Sequence, residues 1–125
     1  MTASRVLAIV VLAAILGAPA RAPAQPACEN ARTTAAMRQC EIARLKQAEV
    51  GMDAAYQALA ARLDAAGRAK LSAAQDAWRA YRAAEAEFQA DHAREGTLAP
   101  LIADSVRADL TEARRRELER ALKSK

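Results

Sequence analysis

The 125-residue chain holds one histidine, two cysteines and four aromatic residues: Tyr56, Trp78, Tyr81 and Phe88. Each scarcity removes a class of chemistry. Cys28 and Cys40, without partner histidines, are no metal signature, and His92 lies far away in sequence. No Ser-His-Asp spacing or phosphate-cradling loop is present, so neither an enzyme activity nor a cofactor is expected. The aromatics do not interleave with a basic patch, which argues against a nucleic-acid partner. Proline is absent between Pro26 and Pro100. With no alternating strand pattern in that stretch, the sequence reads as all-α.

The one long hydrophobic run is at the start. Arg5 is followed by the apolar stretch Val6 to Leu16 and then by GAPARAPAQ. That is the layout of a secretory signal peptide, and the run is too short to span a bilayer. Small-x-small sites occur at Ala18-Pro19-Ala20 and Ala22-Pro23-Ala24; cleavage after Ala24 is expected, giving a leader at 1–24 and a mature domain at 25–125. Cys28 lacks the flanking residues of a lipoprotein site, since Gln25 stands three positions before it. A soluble periplasmic or secreted protein is therefore expected. Without the leader, the formal charge falls from +4 to +2, and the excess is confined to residues 107–125. Arg114, Arg115 and Arg116 form the candidate basic patch there.

What remains is rich in alanine and other good helix formers. A first helix is expected from about Thr33 to Ala65. Ile42, Glu49, Tyr56 and Leu63 occupy one heptad seam position, and Leu45, Met52 and Leu59 the other. Gly67 is expected to mark the break that follows. A second helix is expected from about Arg68 to Arg94, with Leu71, Ala74, Trp78, Tyr81, Glu85 and Phe88 on one face. Glu95-Gly96-Thr97 forms the next turn. A third helix runs from Leu98 to near the end, with Pro100 tolerated in its first turn and Leu98, Ile102, Val106, Leu110, Leu118 and Leu122 on its apolar side. Short connections imply an antiparallel three-helix bundle with long first and second helices. Its core is thin because alanine buries little area, so Trp78, Tyr81 and Phe88 are expected to be core anchors.

In one continuous helix Cys28 and Cys40 would be about 18 Å apart, too far for a bond. An intramolecular disulfide requires residues 28 to about 32 to fold back, with Thr33 or Thr34 as the N-cap. Pairing between two chains is the competing reading. Arg82 is expected to pair with Glu49, the one acid on the first helix's seam.

Cys28-x11-Cys40, Glu49-x-x-Met52-Asp53-x-x-Tyr56, Ala74-Gln75-x-x-Trp78-x-x-Tyr81-Arg82, Gly96-Thr97 and Leu110-Thr111-x-x-Arg114-x-x-x-Leu118 occur in this order. The set resembles the lysozyme-inhibitor LprI-like family of small exported bacterial proteins, over about residues 27–122. The resemblance implies a helical fold and inhibition of a lysozyme. It marks Glu49, Tyr56, Gln75, Trp78, Tyr81, Arg82, Thr111 and Arg114 as family-motif residues with a structural role. The chain departs from the family pattern at Ala83 and Ala86, where an aspartate and a cysteine are usual, and at Val106, where a second cysteine is expected. It also departs at Glu95 and at Met52-Asp53. The joint loss of two cysteines implies that Cys28 and Cys40 pair with each other, an N-terminal arm stapled by one disulfide.

An inhibitor would act by blocking the enzyme's cleft, and Glu95, Gly96 and Thr97 are the candidate inhibitor loop. Gly96 permits close backbone approach, and Thr97 offers a hydroxyl to catalytic carboxylates. An acidic patch of Glu85, Glu87, Asp91 and Glu95 could face a basic lysozyme. The alternative is a non-enzymatic envelope adaptor contacting membrane or cell-wall polymer through the basic third helix.

Overall fold

The computed structural model describes residues 28–124; the expected leader and its cleavage site lie outside them. A single 3-10 turn, Cys28–Asn30, leads into α1 (Thr34–Ala60), α2 (Ala65–Ala90) and α3 (Leu98–Ser124), with a second 3-10 turn at Asp91–Ala93. Each long helix spans about 40 Å. No strand occurs among the described residues, and no described helix is long and apolar enough to cross a membrane.

The helix starts are set by side-chain caps. Thr33, in extended conformation, accepts from the Ala36 amide at 3.1 Å. Asp64 accepts from the Gly67 amide at 2.7 Å. Each satisfies an amide that the first helical turn leaves without a carbonyl. Cys28 and Cys40 are disulfide-bonded, with Cα atoms 5.7 Å apart, so the 3-10 turn folds back onto the start of α1.

Two boundaries differ from expectation. α1 stops at Ala60 rather than Ala65, and Gly67 does not mark the break. It lies in the first turn of α2 with an ordinary helical φ. Asp64 is the punctuation instead: its cap starts α2 three residues earlier than the glycine signal suggested.

The pairing of helices also differs from what short loops suggest. α3 packs most extensively against α1, less against α2, while α1 and α2 touch at few points. Along the α1–α3 seam, Arg38 meets Asp104, Arg44 meets Asp109 and Glu112, and Arg62 meets the Leu122 carbonyl. Numbers rise together in these pairs. Between α2 and α3 they run oppositely, from Gln75 with Arg114, through Arg82 with Thr111, to Ala86 and Ala90 with Ala103. The Arg115 side chain lies across Gly51, where an added Cβ would meet its Cδ at 2.7 Å.

The core is split. One cluster holds Met52, Ala55, Leu59 and Leu118, flanked by Tyr56, Leu63, Leu71, Trp78 and Leu122. The other is made of Ala86, Ala90 and Ala103, flanked by Ala99, Ile102 and Val106. The heptad seam of α1 is therefore present in Met52 and Leu59. On α2 the expected face fails in part. Trp78 is half-buried against the first cluster, but Tyr81 is 52% exposed and Phe88 75% exposed. Neither is a core anchor. α2 turns Gln75, Ala86 and Ala90 inward instead. Leu98 is also exposed and leaves the apolar side of α3.

Candidate functional site

The motif residues of the second helix are held by a polar network between the two core clusters. Gln75 is fully buried; its amide donates to the Met52 sulfur at 3.3 Å, and its carbonyl accepts from Arg114 at 3.0 Å. Arg82 donates to Glu49 Oε1 at 3.0 Å and to Thr111 Oγ1 at 2.8 Å, and its guanidinium lies 5.1 Å from the Trp78 ring centroid. Thr111 in turn donates to the Arg107 carbonyl at 2.7 Å. Every buried side-chain nitrogen and oxygen among the described residues has a partner. This is how buried polar groups fix the relative placement of helices at little net cost. The expected Glu49–Arg82 pair is present. Through this network the motif positions hold all three helices in place, with Glu49 on α1, Gln75, Trp78 and Arg82 on α2, and Thr111 and Arg114 on α3.

Two hubs on the α1–α3 seam carry no signal in the heptad reading. Arg44 donates to Glu41 at 2.6 Å, Asp109 at 2.7 Å, Glu112 at 3.2 Å and the Ser105 carbonyl at 3.3 Å. Desolvation alone would lower its affinity for the proton; hydrogen bonds to Asp109 and Glu41, and their charges, outweigh it and raise the pKa. Asp104 is buried, held by Arg38 at 2.8 Å and Arg107 at 3.0 Å. An acid following the apolar run Leu101-Ile102-Ala103 was the one available hint of an interior carboxylate.

The three arginines of the basic patch do not form one free cationic surface. Arg114 points inward to Gln75, with its side chain 17% exposed, and also pairs with the exposed Glu117. Arg115 is paired with Glu119 at 2.6 Å, and Arg116 lies 3.9 Å from Glu112. The acidic patch also disperses. Glu85 and Glu87 are two residues apart, about 200° around the helix, Glu85 holds Gln89, and Asp91 holds Arg94 at 2.8 Å.

Glu95, Gly96 and Thr97 lie together in the turn between the second 3-10 element and α3, and all three are exposed. The Gly96 amide donates to the Ala93 carbonyl at 2.9 Å, which tightens the turn. A Cβ at Gly96 would meet only that carbonyl, at 3.6 Å, and the Leu98 nitrogen, at 4.0 Å; both are ordinary contacts. The fold does not demand glycine here. The turn, with Asp91, His92, Arg94, Leu98 and Ile102, borders an open depression of about 720 Å³. Among the described residues, no group of acids, cysteines or histidine is placed to hold a metal ion.

A sequence-family model described as lysozyme inhibitor LprI matches residues 25–118, which covers most of the chain. The chain belongs to the LprI lysozyme-inhibitor family. The matched range takes in the disulfide, the polar network of this LprI-family chain and its exposed turn. The family is one of binding inhibitors rather than enzymes. Neither a curated protein nor a solved structure matches the chain.

Proposed function

We propose that the chain is an exported inhibitor of a lysozyme that inserts the Glu95-Gly96-Thr97 turn into the enzyme's cleft. The family match carries this reading. The turn supports it through chemistry. It is exposed at the junction of two helices, offers a backbone without side-chain bulk at Gly96, and presents the Glu95 carboxylate and Thr97 hydroxyl beside it. The helices behind it are tied by buried hydrogen bonds, so little ordering cost falls on binding. Export is supported by the leader pattern of residues 1–24.

The test is a lysozyme turbidity assay with the purified protein, its disulfide formed. Stoichiometric loss of lysis is expected. Gly96→Ala should keep its unfolding midpoint, because a methyl there finds only ordinary contacts, while weakening inhibition by about tenfold, as a methyl at a close backbone approach does. An unchanged inhibition constant in Gly96→Ala and Thr97→Ala would remove the turn from the mechanism. The envelope-adaptor reading has less support, since Arg114, Arg115 and Arg116 are each engaged with an acid.

A further inference from the structure

The outer face of α2 carries a continuous exposed stripe of small and aromatic side chains. Ala66, Lys70, Ala73, Ala77, Tyr81, Ala84 and Phe88 follow one another by three or four residues, so they form one stripe along the helix. All are exposed, Phe88 at 75% and Tyr81 at 52%. Lys70 is the one charged residue in the stripe. Two aromatic rings left in water on a chain with four aromatics call for a partner. The stripe is loaded unevenly: its first half carries Ala66, Lys70 and Ala73, and both aromatic rings lie in its second half.

We propose that this face pairs with the same face of a second copy, α2 against α2 in opposite directions, about a twofold axis at Ala77. The stripe is complementary to itself in that register. Tyr81 lies four residues after Ala77 and meets Ala73, four before it. Phe88 lies eleven residues after and meets Ala66, eleven before. Each ring thus sits over an alanine of the other copy, while Ala77 faces its own copy and lets the helices approach closely. Charge agrees with shape. Lys70 meets Ala84, placing its ammonium beside Glu85 of the second copy, and the twofold axis makes that contact twice. A parallel pairing would set ring against ring and Lys70 against Lys70. The pairing leaves the buried network untouched and is independent of the lysozyme reading.

The test is sedimentation equilibrium of the purified chain with its Cys28–Cys40 disulfide intact. A concentration-dependent dimer is expected, and a monomer at every micromolar concentration would overturn the proposal. Phe88→Glu and Ala77→Glu should each raise the dimer dissociation constant by roughly tenfold or more, by burying an unpaired charge at the contact. Both positions are exposed in the single chain, so circular dichroism should stay unchanged. A dimer that persists equally in both variants would place the contact elsewhere. Lys70→Glu should weaken the dimer, and adding Glu85→Lys should restore it. A double variant as weak as the single one would overturn the register. Loss of lysozyme inhibition in Phe88→Glu, with a monomer throughout, would assign the face to the enzyme instead.

Discussion

Arg82 donates from one nitrogen to acceptors on both other helices while its guanidinium covers Trp78. No other side chain can replace that set: a lysine ammonium lacks the flat group that lies against the ring. Arg82→Gln should therefore cost more than Glu49→Gln, about 2–3 against about 1 kcal/mol by chemical denaturation. Their double-mutant cycle should show about 1 kcal/mol of coupling, and strictly additive losses would contradict a direct pair. Gln75→Ala should cost about 2–4 kcal/mol, since it leaves the Arg114 Nε–H without its acceptor and opens a small cavity. Arg44→Lys should lose roughly 1–2 kcal/mol by unlinking Glu41 from Asp109 and Glu112. Its raised pKa means its stabilising charge is present at all lower pH values and would be lost only above the normal arginine range. Arg44 thus adds no pH dependence near neutrality. Glu49 and Arg82 were legible in the sequence because one acid interrupts an apolar seam. Arg44 was not, because on a charged helix nothing distinguishes an arginine that bridges two helices from a solvated one, and Asp104 left only the hint of the apolar run Leu101-Ile102-Ala103 before it.

At the level of the helix, both α1 and α2 were readable as elements, but only the buried face of α1 was legible. Met52 and Leu59 stand out against polar neighbours. On α2 alanine occurs on every face, so the apolar pattern loses contrast, and the eye follows the rings. The small side chains of Ala86 and Ala90 won the interior instead, because α3 approaches there with its own small residue, Ala103. The better signal was the shared face of Gln75, Arg82 and Ala86, at steps of seven and four. Ala86 and Val106, the positions where the family pattern suggests cysteines, meet in that same cluster. Ala86→Cys with Val106→Cys should therefore cross-link α2 to α3 under oxidation. The bond should raise stability by about 3 kcal/mol if unstrained, seen as a higher denaturation midpoint and a mobility shift on reduction. Removing the native bond by Cys28→Ser with Cys40→Ser should cost about 3 kcal/mol for a loop of this size. Helical content should be retained, since all three long helices begin after the arm.

For the molecule as a whole, the decisive feature is that α3 is the close partner of two helices whose backbones lie farther from each other and meet mainly through side chains. Helix number and the Glu95-Gly96-Thr97 turn could be read from spacing; this preference could not, because loop length speaks only to neighbours in sequence. It has a consequence for when the fold can exist. During synthesis, α1 and α2 emerge together with only side-chain contacts such as Gln75–Met52 and Arg82–Glu49 between them, and α3, the larger partner of both, follows. The polar contacts of the seam join residues sixty or more positions apart, so it forms only after the whole intervening stretch has been laid down. A chain ending before Leu98 should show weak helicity and no cooperative melting, although both of its helices are intact in sequence. The nascent protein is thus held open until α3 appears, and an unfolded chain waiting on its last-made partner is exposed to chaperones and proteases for the whole of that interval.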